Sequence, residues 1–264
     1  MPKQKIVPKS EKSLKPTARV IDFNNIYIRQ AIRDLLDTLK AKQADLDKES
    51  PGRGGGVGLA ANQIEYPYEP VSEYDDSPKE GFYPKDFVPP NIYVVSVRQE
   101  RAVLEGCEMV EPSVYINASF EPLLDNEGYK KSSYKEGCLS VTGFTGFNIP
   151  RYENIRVKAC NENGEELNFV IHGFVARVHQ HEMDHGLGKE YLNQLDFDEA
   201  ELCDILIWIE KHQNDTTSEI SEWVIPNKLQ CTSDVSTAPD FLALQTWVNN
   251  ELLNMQENRS VCKK

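Results

Sequence analysis

His181, Glu182 and His185 fall in the stretch "QHEMDHGLG" at 180–188, with the two histidines four apart and the glutamate directly after the first. Residues four apart share one face of a helix, so both imidazoles can bind a single ion while Glu182 reaches a water on it. That is the arrangement of metal-assisted hydrolysis. Two histidines leave the kind of centre open, and a third ligand has to decide it. His179 is no candidate, because two positions from His181 is about 200° around a helix and faces away. His172 fits a ligand role no better.

The elements that must carry these residues are readable from spacing. Phe174, Val178, His181 and His185 fall on one face of a helix beginning near Gly173, so the ligands continue an apolar stripe and the helix is at least half buried. Before it, "NIRVKAC" and "ELNFVI" read as a hairpin over 154–171, turned by Asn163-Gly164. Strands are expected at 92–97 ("IYVVSV") and 113–118 ("SVYINA"). Ile28, Ile32, Leu35, Leu36 and Leu39 predict a helix over about 25–46, capped by Asn24 or Asn25 and stopped by the glycine-rich "KESPGRGGGVG". Helices are also expected at 198–212 and 239–256. Strands first and a core helix later give an α+β class. The expected organisation is a mobile basic arm at 1–20, a catalytic domain at 21–196 with a surface insertion at 66–90, and an acidic, mainly helical extension at 197–264.

Composition narrows the functions. The 264 residues carry a net charge of −13, which disfavours general adhesion to nucleic acid or to an anionic membrane. The longest compact apolar stretch, "ILIWI" at 205–209, is far too short to span a bilayer. Six scattered cysteines form no disulfide framework and point to a reducing compartment. The first residues have no apolar core of the secretory kind. The expectation is a cytoplasmic, bacterial-type protein, with mitochondrion or plastid as the alternative.

Three stretches stand out together: "GVGLAANQ" at 56–63, "EGCLS" at 136–140 and "QHEMDH" at 180–185. In this order and at these separations they resemble the three signature motifs of the peptide deformylase family, over about 56–192. The resemblance implies antiparallel sheets wrapped around a central helix that carries the H-E-x-x-H motif. It implies removal of the formyl group from N-formylmethionyl nascent peptides, with no nucleic acid and no membrane as partner and room for a transient ribosome contact.

Cys138 then supplies the third ligand beside His181 and His185. Two imidazoles and a thiolate leave one tetrahedral position open, the mark of a catalytic rather than a structural ion. Such donors suit Zn(II) or Fe(II) and do not choose between them. The resemblance implies Fe(II) in the cell, replaced by Zn(II) or Ni(II) on isolation. It also assigns Gln63 and the Leu139 N–H to the developing oxyanion and Glu182 to proton transfer. Val57, Gly58 and Gly137 are implied to bind the peptide main chain, and Phe174 and Val178 to line the methionine pocket. Glu136 is expected to pair with Arg151, and Asp184 to orient a partner.

The chain departs from the family where His185 is followed by Gly186 rather than leucine, expected to trim packing and loosen the helix end. Residues 200–264 hold ten acidic against five basic side chains, so docking through a basic helix is doubtful. An H-E-x-x-H endopeptidase remains an alternative, with Glu190, Asp196 or Asp198 as its third ligand. A non-catalytic homologue that binds metal or peptide is another.

Overall fold

The computed structural model describes residues 4–6, 15–49, 55–68, 81–125, 128–140, 147–195, 197–212, 223–225, 229–231 and 241–261. In chain order the elements are α1 (Ile26–Glu49), β1 (Gly58–Ala60), β2 (Ile92–Val97), α2 (Gln99–Glu105) and β3 (Val110–Pro122). Short strands β4 (Leu124–Asp125) and β5 (Gly128–Tyr129) follow, then β6 (Lys131–Glu136), β7 (Phe147–Tyr152), β8 (Asn154–Cys160) and β9 (Glu166–His172). Helix α3 (Gly173–Gly186) carries the histidine motif, followed by α4 (Glu199–His212), β10 (Trp223–Ile225), β11 (Leu229–Cys231) and α5 (Phe241–Val261). The class is mixed α and β with antiparallel sheets, as expected from the order of elements.

Two compact units divide the chain. The first comprises Met1–Val7, Leu14–Ser132 and Arg151–Glu190. Its five-stranded sheet runs β1-β2-β3-β8-β9, every neighbouring pair antiparallel. All six residues of β2 are buried, because α1 and α3 both pack against this strand. A strand covered on two sides needs a continuous apolar run, which is what "IYVVSV" supplies. In β8, by contrast, only Ile155, Val157 and Ala159 are buried, the alternation of a strand with one inward face.

Helix α3 lies deeper than its apolar stripe required, with Ala176 through His185 all buried. It starts at Gly173, whose φ of +57° allows the chain to turn abruptly out of β9. It ends tightly rather than loosely. The Leu187, Gly188 and Lys189 N–H groups return to carbonyls of Met183, Asp184 and His185, with Gly188 at a φ of +74°.

The 1–20 stretch differs from the mobile arm expected of it, wherever it is described. Gln4 is tied to α1 through Thr38 and Asp34, and Ile6 bridges Ile64. Residues 15–20 form a strap: Ala18 exchanges main-chain bonds with Pro89 and Asn91, and Val20 bonds both ends of the Asn117 side-chain amide at 2.8 Å each. Asn117 sits at a bulge in β3 with a φ of +53°, a conformation asparagine tolerates better than most residues. Basic composition predicts a free segment, but main-chain groups and the Gln4 and Thr17 side chains tie its described residues down, with an exposed Lys5–Glu65 pair beside them.

The 66–90 insertion is a surface loop only in part. Residues 69–80 lie outside the described residues, but Tyr83 is 3% exposed and packs with Tyr27, Tyr66 and Phe87. Its hydroxyl donates to Asp34 on α1 at 2.7 Å.

The second unit comprises Pro8–Ser13, Ser133–Pro150 and Tyr191–Lys264. Its core gathers Ile149, Tyr191, Leu192, Phe197, Leu202, Ile205, Ile209, Leu244, Trp247 and Val248. Helices α4 and α5 pack together, with Phe197 edge-on to Trp247 at 5.7 Å. Its last segment begins at Tyr191, ahead of the 197 expected for the C-terminal extension, and Tyr191 and Leu192 are core residues of the unit.

Candidate metal centre

The site is built first on α3. The His181 and His185 rings stand edge to face with centroids 4.7 Å apart, as the four-residue spacing requires. His185 is fully buried, and its Nδ1 meets the Lys189 carbonyl at 3.0 Å. A carbonyl only accepts, so Nδ1 carries the proton and Nε2 is left as the donor atom toward an ion. One ligand atom each from Cys138, His181 and His185 lies within 4.8 Å of the others. Among the described residues this group contains no carboxylate. A thiolate and two imidazoles suit one divalent transition ion, so the donor set fits the metal that the motifs imply.

Glu182, buried, lies against β1. A Cβ on Gly58 would come 2.7 Å from the Glu182 Cδ, so glycine is what lets strand and carboxyl approach. Gln63 is buried in a short 3-10 turn (Ala61–Gln63), and its Oε1 accepts the Ala60 N–H at 2.8 Å. That bond sets the amide orientation, making Nε2 the end with donors to offer. The loop before β1 is anchored from α1: Gln43 Nε2 donates to the Gly56 and Ser96 carbonyls. The Val57 carbonyl accepts the Ser96 N–H at 2.9 Å.

Val178 is buried and Phe174 and Val57 half-buried within one apolar cluster that also holds Tyr93, Val95 and Val97. The Arg101 guanidinium lies 5.1 Å from the Phe174 ring centre. Gly137 is exposed, and Cys138 and Leu139 are half-buried. Asp184 orients a partner, as expected of it: Arg151 donates to its Oδ2 at 2.8 Å, both side chains being nearly inaccessible.

Matches to known proteins now decide the family. A family model described as polypeptide deformylase matches residues 3–201. This chain belongs to the polypeptide deformylase family. The peptide deformylase of Aquifex aeolicus is 32% identical over 181 residues, covering 69% of this chain and 80% of the relative. That of Stutzerimonas stutzeri is 30% identical over 182 residues, with the same coverage of each. A crystal structure of the peptide deformylase from Ehrlichia chaffeensis, in complex with actinonin, superposes with a TM-score of 0.54 at 28% identity. It covers 82% of this chain and 100% of that one.

Several residues of this deformylase-family site were not singled out by sequence. Gln180 pairs with both main-chain groups of Tyr152 and so fixes β7 to α3. His179, which faces away as expected, bonds the Tyr93 hydroxyl at 2.9 Å. Burial lowers its pKa to about 3, so it is a neutral packing residue. Asn62 lies inside "GVGLAANQ", where its place beside Gln63 is the one signal in the sequence that points to it. Among the described residues no helix is long and apolar enough to cross a membrane.

Proposed function

We propose that this chain is a metal-dependent hydrolase that removes the formyl group from formyl-methionyl peptides of newly made proteins and releases formate. The observation that carries the reading is the sulfur donor: Cys138 joins His181 and His185 in a chain of the deformylase family. An H-E-x-x-H endopeptidase would instead draw on a downstream carboxylate such as Glu190 or Asp198; Asp196 lies outside the described residues.

Cys138, His181 and His185 would hold one divalent ion, Fe(II) in the cell, with Zn(II) or Ni(II) on isolation. When bound, such an ion supplies a Lewis acid and lowers the pKa of water to near neutrality. Glu182 takes the proton from the attacking water and returns it to the amine nitrogen as the bond from formyl carbon to nitrogen breaks. Gln63 Nε2 and the Leu139 N–H donate to the formyl oxygen as negative charge develops there. Val57, Gly58 and Gly137 pair with the extended peptide main chain, and Phe174 and Val178 receive the methionine side chain. The nascent chain is the partner, in the cytoplasm or in an organelle of bacterial descent. The acidic balance of residues 200–264 argues against a ribosome contact through a basic helix there.

The test is formate release from formyl-Met-Ala by anaerobically prepared, Fe(II)-loaded protein, alongside Glu182→Ala. Native protein is expected to turn over, and Glu182→Ala to lose activity by ~10²-fold or more while keeping its metal. Absence of formate from the Fe(II)-loaded native chain would sink the reading.

A further inference from the structure

The strap at 15–20 reaches the last turn of α3, and its contacts meet at one side chain that the proposed reaction does not use. Asn62 is 8% exposed and lies in the same 3-10 turn as Gln63. Its Nδ2 donates to two carbonyls, that of Lys15 at 2.8 Å and that of His185 at 2.5 Å. Both neighbours are acceptors, so only the NH2 end of the amide can face them. One residue on, the Gly186 carbonyl accepts two bonds from Thr17, from N at 3.0 Å and from Oγ1 at 2.9 Å.

Gly186 makes room for this approach. A Cβ there would stand 3.5 Å from Thr17 Oγ1 and 3.7 Å from Asn91 Oδ1, already in van der Waals contact. The further carbons of a leucine would compete with the strap for the same space. The carbonyls of His185 and Gly186 are thus held from outside the helix while the His185 ring is held by Lys189.

We infer that Asn62, with Thr17 of the strap, is a positioning residue for the centre: it fixes the main chain at His185–Gly186 and so aims the second imidazole at the ion. The strap takes the place of the leucine with which this family's motif usually closes. Asn62 adjoins Gln63, so one short turn registers the proposed oxyanion donor against the ligand helix.

The inference rests on the metal reading but not on the substrate, and its test uses no peptide. The full chain is loaded with Co(II), whose visible bands report ligand geometry, and Co(II) release to a chelator is timed. Partners behind a metal ligand typically change affinity by ~10–100-fold, so Asn62→Ala is expected to release Co(II) at least ~10-fold faster with shifted bands. Asn62→Asp keeps the size but turns an acceptor toward two carbonyls, and is expected to be no better than alanine. Thr17→Val keeps the N–H bond and loses the hydroxyl, with a smaller increase of ~2- to 5-fold. Native bands and native release in both Asn62 variants would overturn the inference. Should those variants fail to fold, Thr17→Val with native bands and release overturns it alone. A native chain that takes up no Co(II) would overturn the metal reading beneath it. Failed formate release with intact Co(II) behaviour would count only against the substrate.

Discussion

Gly58 carries no side chain where Glu182 places its carboxyl, and an added Cβ would stand 2.7 Å from the Glu182 Cδ. The two residues lie 124 positions apart in the chain, on the edge strand β1 and on helix α3. The glycine of the first motif is thereby tied to the glutamate of the third, in addition to the role proposed for it toward the peptide main chain.

Gly58→Ala should therefore act on Glu182 rather than on the ion. The carboxyl must move by a sizeable fraction of an ångström, and misplacement of that order can cost ~10²-fold in rate. The expected result is a drop of that size in kcat with metal content per chain unchanged. Native kcat in Gly58→Ala would show that the contact does not constrain the carboxyl.

Gln63→Glu separates two properties of one side chain. A carboxylate keeps an acceptor for the Ala60 N–H but offers no donor to a developing oxyanion. Thermal stability should stay close to native while kcat falls by ~10²–10³-fold. A variant that loses stability and activity together would point to packing as the larger role of Gln63.

At alkaline pH the buried phenols should govern stability. Burial raises the pKa of Tyr66, Tyr83 and Tyr93 well above that of a free tyrosine, and for Tyr83 the hydrogen-bonded Asp34 adds to the effect. Each folded pKa lies above its unfolded value of about 10, so the contribution is complete below that pH and is lost as pH rises above it. Each such tyrosine should remove about 1.4 kcal/mol per pH unit in that window. Urea unfolding at stepwise higher pH should show a shallower decline for Tyr83→Phe than for native protein. Parallel declines would mean that Tyr83 ionises in the folded state.

Gly186→Leu restores the residue usual in the family, yet is expected to destabilise this chain. Overfilling a packed site costs about 1–3 kcal/mol, and here the space adjoins Thr17 and Asn91. Urea unfolding measures it. A leucine variant as stable as native, or more so, would mean that the strap yields at no cost.

Much of this was legible in one sequence, because periodic patterns report elements that bury one face. The strand "IYVVSV", the hairpin at 154–171, the start of α3 near Gly173 and the helices later seen as α4 and α5 all came from spacing. Helix α2 did not, since seven residues with Ala102 buried and Val103 and Leu104 exposed give no periodic apolar face to detect. The strap was missed for a related reason: bonds from Asn62, Thr17 and Asn117 to distant main chain leave no period. Tyr83 in the core was hidden by its proline-rich, acidic neighbours. At the site, residue types named the chemistry, while Gly58 against Glu182 and Asn62 against His185 depend on long-range folding that no local pattern encodes.

The placement of Trp247 in the core of the second unit has a practical side. All three tryptophans of the chain, Trp208, Trp223 and Trp247, fall after residue 200, and the unit that carries His181 and His185 has none. Indole fluorescence is therefore an optical label for one unit only. Set beside far-ultraviolet circular dichroism, which reports on the helices and strands of both units, it separates the melting of the second unit from that of the whole chain. Coincident transitions would describe a single cooperative molecule, and separated ones would yield the stability of each half without cutting the chain.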